Sequence, residues 1–223
     1  MKKWFALLLA MILVGSIALP ALADGPKDID QDEMKFIEDY ESLNGQLDRT
    51  GLYMLPDVDL PERVPFEYED IDDIEELLTE DSGVLYIGFP SCPWCRQLIQ
   101  PMIDAWNLTG SNEEITCINI YDLRPTRSVD EEGNVTETVP PAPEYAKLVE
   151  LLYDHLRPFT GAKDESIKHI YSPMLVFVRE GVIEYTHSGT VDGHERGETM
   201  TQEEYDGLVA LLTEHMSDLL VDD

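Results

Sequence analysis

An apolar stretch that ends at two cysteines constrains the fold of this chain more than any other part of the sequence. Residues 83–89, GVLYIGF, are largely apolar, as in a central strand that is buried on both faces. Cys92-Pro93-Trp94-Cys95 follows, and the next residues, RQLIQPMIDAWNL, predict a helix. Proline is favoured at the first helical position, because no hydrogen bond is lost there. We therefore expect a buried strand that leads to two cysteines at the start of a helix.

The elements around this unit alternate between strands and helices. EITCINIYDL, residues 114–123, is rich in β-branched residues and predicts a strand, as does the shorter PFEYED before it. Residues 70–81 and 201–220 predict amphipathic helices, and residues 174–187 predict a hairpin that turns at Glu180-Gly181. The order β-α-β-α-β-α-β-β-α predicts an α/β fold, and the final antiparallel pair makes the central sheet mixed.

Residues 124–143 interrupt this order, and two interpretations are open for them. SVDEEGNVTETV predicts either a small hairpin around Glu132-Gly133-Asn134 or a mobile acidic loop. The chain then returns to a helix within residues 140–159. The inward-facing residues predicted for that helix are Tyr145, Leu148, Leu151, Leu152 and Leu156.

Residues 1–23 have the features of a secretory signal peptide. Lys2 and Lys3 precede an apolar run from Trp4 to Leu19, and Ala21-Leu22-Ala23 offers small residues at a cleavage site. An uncleaved anchor is the alternative, because the run approaches the roughly 20 residues that a membrane span requires. Pro20 and the small residues favour cleavage. We therefore expect an exported protein that keeps no membrane span.

The charge of the chain excludes one class of partner. The sequence has 46 acidic and 15 basic side chains, a net charge of −31. Cleavage after Ala23 would remove Lys2 and Lys3 and no acid, which takes the net charge to −33. Such a charge repels nucleic acid and anionic lipid, so we exclude nucleic acid as a partner.

The mature length fits one domain with additions at its amino end. We expect an N-terminal extension and linker over residues 24–65, and a domain over residues 66–223. In the extension, Met34, Ile37 and Tyr40 recur at helical spacing. That helix has one apolar stripe, so packing on the domain is favoured over dimerisation or over covering the cysteines.

Three interpretations are open for Cys92 and Cys95. A structural metal site needs about four ligands, whereas this chain has one Cys-x-x-C pair and five histidines without ligand-like spacing. A structural disulfide would close a very small loop and would remove little entropy from the unfolded chain. Redox exchange fits best, because the amides and the dipole at a helix start stabilise a thiolate. We expect no metal and no cofactor.

The positions of the cysteines predict different roles. Cys92 would be the exposed nucleophile that attacks a partner disulfide, and Cys95, one turn deeper, would then release the partner. Trp94 would either present an apolar face to the partner or pack at the helix start. Cys117, in the strand EITCINI, is expected to be a buried apolar residue and not a third redox group.

The strand, the Cys-x-x-C pair at a helix start and the later Ser172-Pro173 before a terminal hairpin resemble the thioredoxin family. The resemblance covers about residues 66–220 and implies a three-layer sandwich with an insertion at residues 124–143. It implies that Pro173 is cis beside the cysteines, and that the Ser172 backbone pairs with a bound substrate strand. DDIEELLTEDSGVLYIGFPSCPWCRQLIQPM further resembles the bacteriocin-transport-accessory type of thioredoxin-like protein from Gram-positive bacteria.

Two positions depart from the thioredoxin pattern. The family usually has a buried acid six residues before the first cysteine, where it accepts the proton of the second cysteine, and this chain has Tyr86 there. The proton of Cys95 must therefore leave by another route. The helix proline comes one position later than usual, at Pro101. Both departures bear on the reduction potential more than on the activity.

The sequence therefore predicts an exported thiol–disulfide oxidoreductase. Its expected partners are proteins with cysteines or disulfides, together with a redox partner at the membrane. The alternative is a thioredoxin-fold binding or adaptor module whose cysteines do not turn over. A peroxide or small-thiol enzyme is a third alternative, although no segment indicates a dedicated pocket for such a ligand.

Overall fold

The computed structural model describes residues 31–195 and 197–219, so the predicted signal peptide lies outside the described residues. The helices and strands are, in chain order, α1 (Gln31–Glu41), β1 (Phe66–Tyr68), α2 (Ile71–Thr79), β2 (Gly83–Gly88), α3 (Pro93–Thr109), β3 (Ile115–Asn119), β4 (Thr126–Val129), β5 (Val135–Val139), α4 (Pro143–Leu151), β6 (Arg157–Pro158), β7 (Lys168–His169), β8 (Met174–Arg179), β9 (Val182–Ser188) and α5 (Gln202–Leu219). A 3₁₀ turn at Tyr153–His155 follows α4.

Five strands form the central sheet, in the order β1-β3-β2-β8-β9. β1 and β2 run parallel to β3, whereas β8 is antiparallel to β2 and β9 is antiparallel to β8. β2 is the middle strand, and residues 84–88 are all buried, as their apolar sequence predicts. The α/β class and the mixed sheet are therefore confirmed.

The connections distribute the helices around the sheet. The chain moves across β3 on its way from β1 to β2 through α2, and it moves back from β2 to β3 through α3. Right-handed crossovers in opposite directions place α2 and α3 on opposite faces of the sheet. α5 packs against α3, and α4 packs against α2, so each face carries a pair of helices.

The N-terminal extension packs on the domain, which was the favoured one of the three arrangements. The Phe36 ring of α1 stacks on the Phe66 ring of β1 with 4.2 Å between the centroids, and it also stacks on Tyr40. Phe36 and Tyr40 belong to the same buried core as the sheet. The predicted stripe was wrong in one member, since Met34 is 49% exposed and Phe36 takes the buried position.

The predicted interruption is a hairpin, since β4 and β5 pair antiparallel on either side of Gly133. The next helix is shorter than predicted and ends at Leu151, where the chain passes through Leu152 into the 3₁₀ turn at Tyr153–His155. Leu152 and Leu156 are still buried, from the turn after α4, while Leu151 is half-buried. A second short pair, β6 with β7, was not predicted.

Candidate active site

The turn between β2 and α3 sets the position of both cysteines. Cys92 is the N-cap of α3 with extended φ and ψ of −86° and 119°, and Pro93 occupies the start of the helix as predicted. The Cys95 backbone N–H donates to Cys92 Sγ at 3.3 Å. The first turn of α3 therefore directs a free amide at the Cys92 sulfur, which favours a thiolate there.

Both thiols lie beneath the surface. Cys95 is fully buried, in agreement with its predicted position one turn deeper, but Cys92 is only 3% exposed. The expectation of an exposed Cys92 was therefore wrong. The Cys92 thiol turns inward and donates to the Ser172 carbonyl oxygen at 3.6 Å, which removes the sulfur from the surface. All three cysteines of the chain are free thiols.

The segment before β8 reaches the cysteines across 80 residues of sequence. The peptide bond between Ser172 and Pro173 is cis, as the resemblance implied, and Pro173 is buried. The Ser172 hydroxyl oxygen is buried and has no hydrogen-bond partner among the described residues. Trp94 is half-buried and packs against the core, and its role toward a partner stays a prediction.

The surroundings of Cys92 favour its ionised form. Burial acts to raise the pKa of Cys92, but the Cys95 thiol, the amides of Cys95 and Trp94 and the charge of Arg124 together lower that pKa below its ordinary value. The Arg124 guanidinium lies over the Phe89 ring, 4.1 Å from its centroid. Arg124 begins the segment that interrupts the fold, and its sequence position gave no signal of a role near the cysteines.

The surroundings of Cys95 disfavour its ionised form. Burial, followed by the hydrogen bond and charge of Cys92, raises the pKa of Cys95 well above its ordinary value, while the Phe89 backbone and the Tyr86 hydroxyl act to lower it. Tyr86 stands where the thioredoxin pattern has a buried acid. The two thiols are therefore unequal, with a nucleophile that ionises readily and a second thiol that holds its proton.

A second tyrosine joins Tyr86 beneath the cysteines. The hydroxyl oxygens of Tyr40 and Tyr86 are 2.7 Å apart, and both side chains are almost fully buried. Burial is the largest cause that raises the pKa of each tyrosine well above its ordinary value. The sequence analysis placed Tyr40 on a packing stripe of the extension and did not connect it with Cys95.

Gly88 leaves the space that the Tyr86 hydroxyl occupies. A Cβ atom at Gly88 would lie 2.2 Å from that hydroxyl oxygen, which is closer than any two such atoms approach. Residues 86 and 88 point to the same face of β2, because side chains alternate along a strand. The glycine at the end of β2 therefore has a steric role at this site.

Arg96 ties the extension to the cysteine helix. Its side chain is buried, and its Nη1 donates to the Tyr40 carbonyl oxygen at 2.7 Å. The same guanidinium also donates to the carbonyl oxygens of Pro56 and Pro90 and to the side-chain oxygen of Asn44. Sequence reasoning missed this role, because arginine is seldom fully buried and most often lies at a helix surface.

Cys117 lies in β3, where its buried thiol donates to the Ile115 carbonyl oxygen at 3.2 Å. Burial raises the pKa of Cys117 well above its ordinary value. These features agree with the predicted apolar role. In residues 31–195 and 197–219, no group of three or more histidine, cysteine or carboxylate side chains is arranged to hold a metal ion.

The comparisons with known proteins add nothing to these observations, since no family model, no curated protein and no solved structure matches the chain.

Proposed function

We propose that this chain is a thiol–disulfide oxidoreductase with a thioredoxin-like fold that acts on protein cysteines outside the cytoplasmic membrane. The observation that carries the proposal is the inequality of the two thiols at the start of α3. Cys92 accepts the Cys95 amide and has a lowered pKa, whereas Cys95 is enclosed and has a raised pKa. A nucleophile that ionises and a second thiol held in reserve are what disulfide exchange requires.

The topology supports the thioredoxin-like part of the proposal. A mixed sheet with a pair of helices on each face is a three-layer arrangement, and the cysteines lie where its central strand meets α3. The Ser172–Pro173 segment with its cis bond lies beside Cys92, as in the family that the sequence resembles. The extension and the β4–β5 hairpin are additions to that arrangement.

The proposed reaction has two steps. The Cys92 thiolate attacks one sulfur of a partner disulfide, which forms a mixed disulfide and releases the other partner sulfur as a thiolate. Cys95 then attacks Cys92, so the Cys92–partner bond breaks and a Cys92–Cys95 disulfide forms. Two electrons pass to the partner, which leaves as a dithiol. The same steps in reverse oxidise a partner.

The proposed partners follow from the chemistry and from the predicted signal peptide. The substrates are proteins with cysteines or disulfides, and a reductant outside the membrane would receive its electrons from a partner at the membrane. None of the helices in the described part of the chain combines the length and apolar character that a bilayer crossing requires.

Catalytic turnover of a protein disulfide and the reduction potential of the Cys92–Cys95 pair together test the proposal. The wild-type chain is expected to catalyse the reduction of insulin by dithiothreitol, and Cys92→Ser is expected to abolish that catalysis. Glutathione titration then gives the potential of the pair. A value near about −270 mV indicates a reductant, and a value near about −120 mV indicates an oxidant.

The burial of Cys92 favours a second candidate, a binding or adaptor module of the same fold. A sulfur on a residue that is 3% exposed cannot be reached by a partner disulfide unless the surrounding chain moves. If the folded protein neither catalyses insulin reduction nor exchanges with glutathione, the enzyme proposal fails and the binding module takes its place.

A further inference from the structure

We infer that Tyr86 is a catalytic hydrogen-bond donor to Cys95 and that Tyr40, from the N-terminal extension, is the positioning residue that orients it. The inference rests on the proposed function, because it concerns the step in which Cys95 displaces the partner. It assigns the extension a part in the reaction in addition to its packing role.

Three elements bring these groups together. Tyr40 comes from α1, Tyr86 from the middle strand β2, and Cys95 from the first turn of α3. The two hydroxyl oxygens are 2.7 Å apart, and the Tyr86 hydroxyl lies close enough to Cys95 to act toward lowering the pKa of that thiol. Gly88 provides the room for the Tyr86 hydroxyl. Arg96, the residue after Cys95, donates from Nη1 to the Tyr40 carbonyl oxygen at 2.7 Å.

The number of protons fixes the direction of the chain of hydrogen bonds. A neutral tyrosine has one proton to donate. If Tyr86 donates to the Cys95 sulfur, its oxygen is left to accept, and Tyr40 becomes the donor to Tyr86. A donor that itself accepts a hydrogen bond is polarised and donates more strongly.

The protonation states of the two tyrosines leave both hydroxyls able to donate. Burial raises the pKa of both tyrosines well above the ordinary value, so both stay neutral over the working pH range and neither is a base. The other titratable groups near this pair are Cys92 at the N-cap of α3, Arg96 within α3 and Tyr68 from β1. The pair therefore stabilises a charge without adding one, in contrast with a buried carboxylate.

The step that the pair assists is the release of the partner from its mixed disulfide with Cys92. As the proton leaves Cys95, negative charge gathers on that buried sulfur, and the Tyr86 hydroxyl donates to it. The sulfur of Cys95 attacks Cys92, the Cys92–partner bond breaks, and the departing partner thiolate takes up the proton. The products are a Cys92–Cys95 disulfide and a partner thiol.

A single-turnover reaction separates this step from the first attack. Reduced protein is mixed with excess dithiobis(nitrobenzoate), which releases one coloured thiolate when Cys92 attacks and a second when Cys95 closes the disulfide. Stopped-flow absorbance from pH 6 to pH 10 gives a rate and a pH midpoint for each release. Mass spectrometry confirms that the second release forms the Cys92–Cys95 disulfide.

Tyr86→Phe is expected to lower the ratio of the second rate to the first about tenfold at pH 7, since a hydrogen bond to a charged group is lost. It is also expected to move the midpoint of the second release to higher pH. Tyr40→Phe is expected to lower the same ratio about threefold and to shift the midpoint in the same direction. The double variant is expected to match Tyr86→Phe alone, because Tyr40 acts through Tyr86.

Tyr145→Phe is the matched control, since it removes a buried hydroxyl that bonds His169 and the Ile170 amide instead. Equal changes in Tyr145→Phe, or unchanged midpoints in Tyr86→Phe and Tyr40→Phe, would overturn the inference. If one tyrosine variant fails to fold, the midpoint of the other decides. A wild-type protein that releases no second thiolate would instead refute the proposed function.

Discussion

At the carboxyl end of β2, the chain buries a guanidinium and two thiols within a set of hydrogen bonds, whereas at the amino ends of β2 and β3 it leaves its charges in an open cleft. Arg96 is 2% exposed and donates to four oxygen acceptors. At the other end, seven carboxylates are among the residues that line a cavity of about 720 Å³. Its carboxylates are those of Glu67, Glu69, Asp73, Glu76, Asp81, Glu113 and Glu114.

The acidic cleft differs from the cysteine end, where four hydrogen bonds converge on the Arg96 guanidinium. The pKa of Glu69 is raised by burial and then by the hydrogen bond and charge of Asp73, so its neighbours oppose its ionisation. The carboxylates there repel one another, whereas at the cysteine end the Arg96 guanidinium is met by four oxygen acceptors. The cavity is therefore the less specific region, and the proposed chemistry lies at the end where the hydrogen bonds converge.

The largest change in stability is expected when Arg96, whose cation joins the extension to the cysteine helix, is replaced. Arg96→Met is expected to lower the free energy of unfolding by about 3 kcal/mol, because buried oxygen acceptors lose their donor. Arg96→Lys is the control, and it should lose less because it keeps one donor. Urea unfolding measures both. A loss below about 1 kcal/mol in Arg96→Met would show that the extension is held by packing alone.

Replacing Gly181, a glycine near the acidic end, should lower the stability of the fold and leave the reduction potential of the cysteines unchanged. Gly181 has φ of +71°, and a Cβ atom there would lie 2.1 Å from the Thr79 carbonyl oxygen. Gly181→Ala is expected to lower the free energy of unfolding by about 2 kcal/mol, with the reduction potential unchanged.

Gly207→Ala is the matched control for this substitution. A Cβ atom at Gly207 would meet no neighbouring atom within 4 Å, and the residue lies inside α5. It should therefore stabilise the protein by about 0.5 kcal/mol. A shift of the potential in Gly181→Ala would mean that the two ends of the sheet are coupled.

A smaller effect is expected when the charge beside Cys92 is removed. Arg124 lowers the pKa of Cys92, so Arg124→Gln should raise that pKa and leave less thiolate at any pH below it. The rate of Cys92 alkylation by iodoacetamide at pH 7 is expected to fall about threefold, with the pH midpoint shifted upward. Arg157→Gln, whose guanidinium lies over Tyr171, should show neither change.

The smallest expected effect concerns the acidic cleft itself. Glu76→Gln removes one charge from the cleft and from the second half of α2, where a negative charge also opposes the helix dipole. The free energy of unfolding is expected to rise by about 0.5 kcal/mol in dilute buffer, and the gain should shrink in high salt. Glu165→Gln, in the exposed loop before β7, should give no such gain.

The parts of the fold that could be predicted depend on neighbours in sequence. The apolar run of β2, the proline at the start of α3 and the turn at Glu180-Gly181 each identify an element from a few adjacent residues. The β6–β7 pair escaped prediction because strands of two residues have no measurable period. α4 was predicted too long, since its apolar spacing continues through Leu152 and Leu156, which are buried on either side of the exposed turn that follows it.

The parts of the site that could not be predicted depend on distance in sequence. Cys92 and Cys95 were found from their spacing, but the hydroxyl contact between Tyr40 and Tyr86 joins residues 46 positions apart. Helical periodicity marked Tyr40 only as apolar, and nothing in it reports where the hydroxyl points. The burial of Cys92 was also missed, because the Ser172 carbonyl reaches it from a distant segment.

The steric fit at Gly88 has a consequence for the history of this chain. With the Tyr86 ring in its present place, a side chain at position 88 would clash with the Tyr86 hydroxyl, and Tyr40 has this hydroxyl contact only where residue 86 is a tyrosine. Substitutions at these three positions are therefore expected to be correlated among relatives of this chain. Where a relative has an acid at position 86, selection for glycine at 88 and tyrosine at 40 should be relaxed.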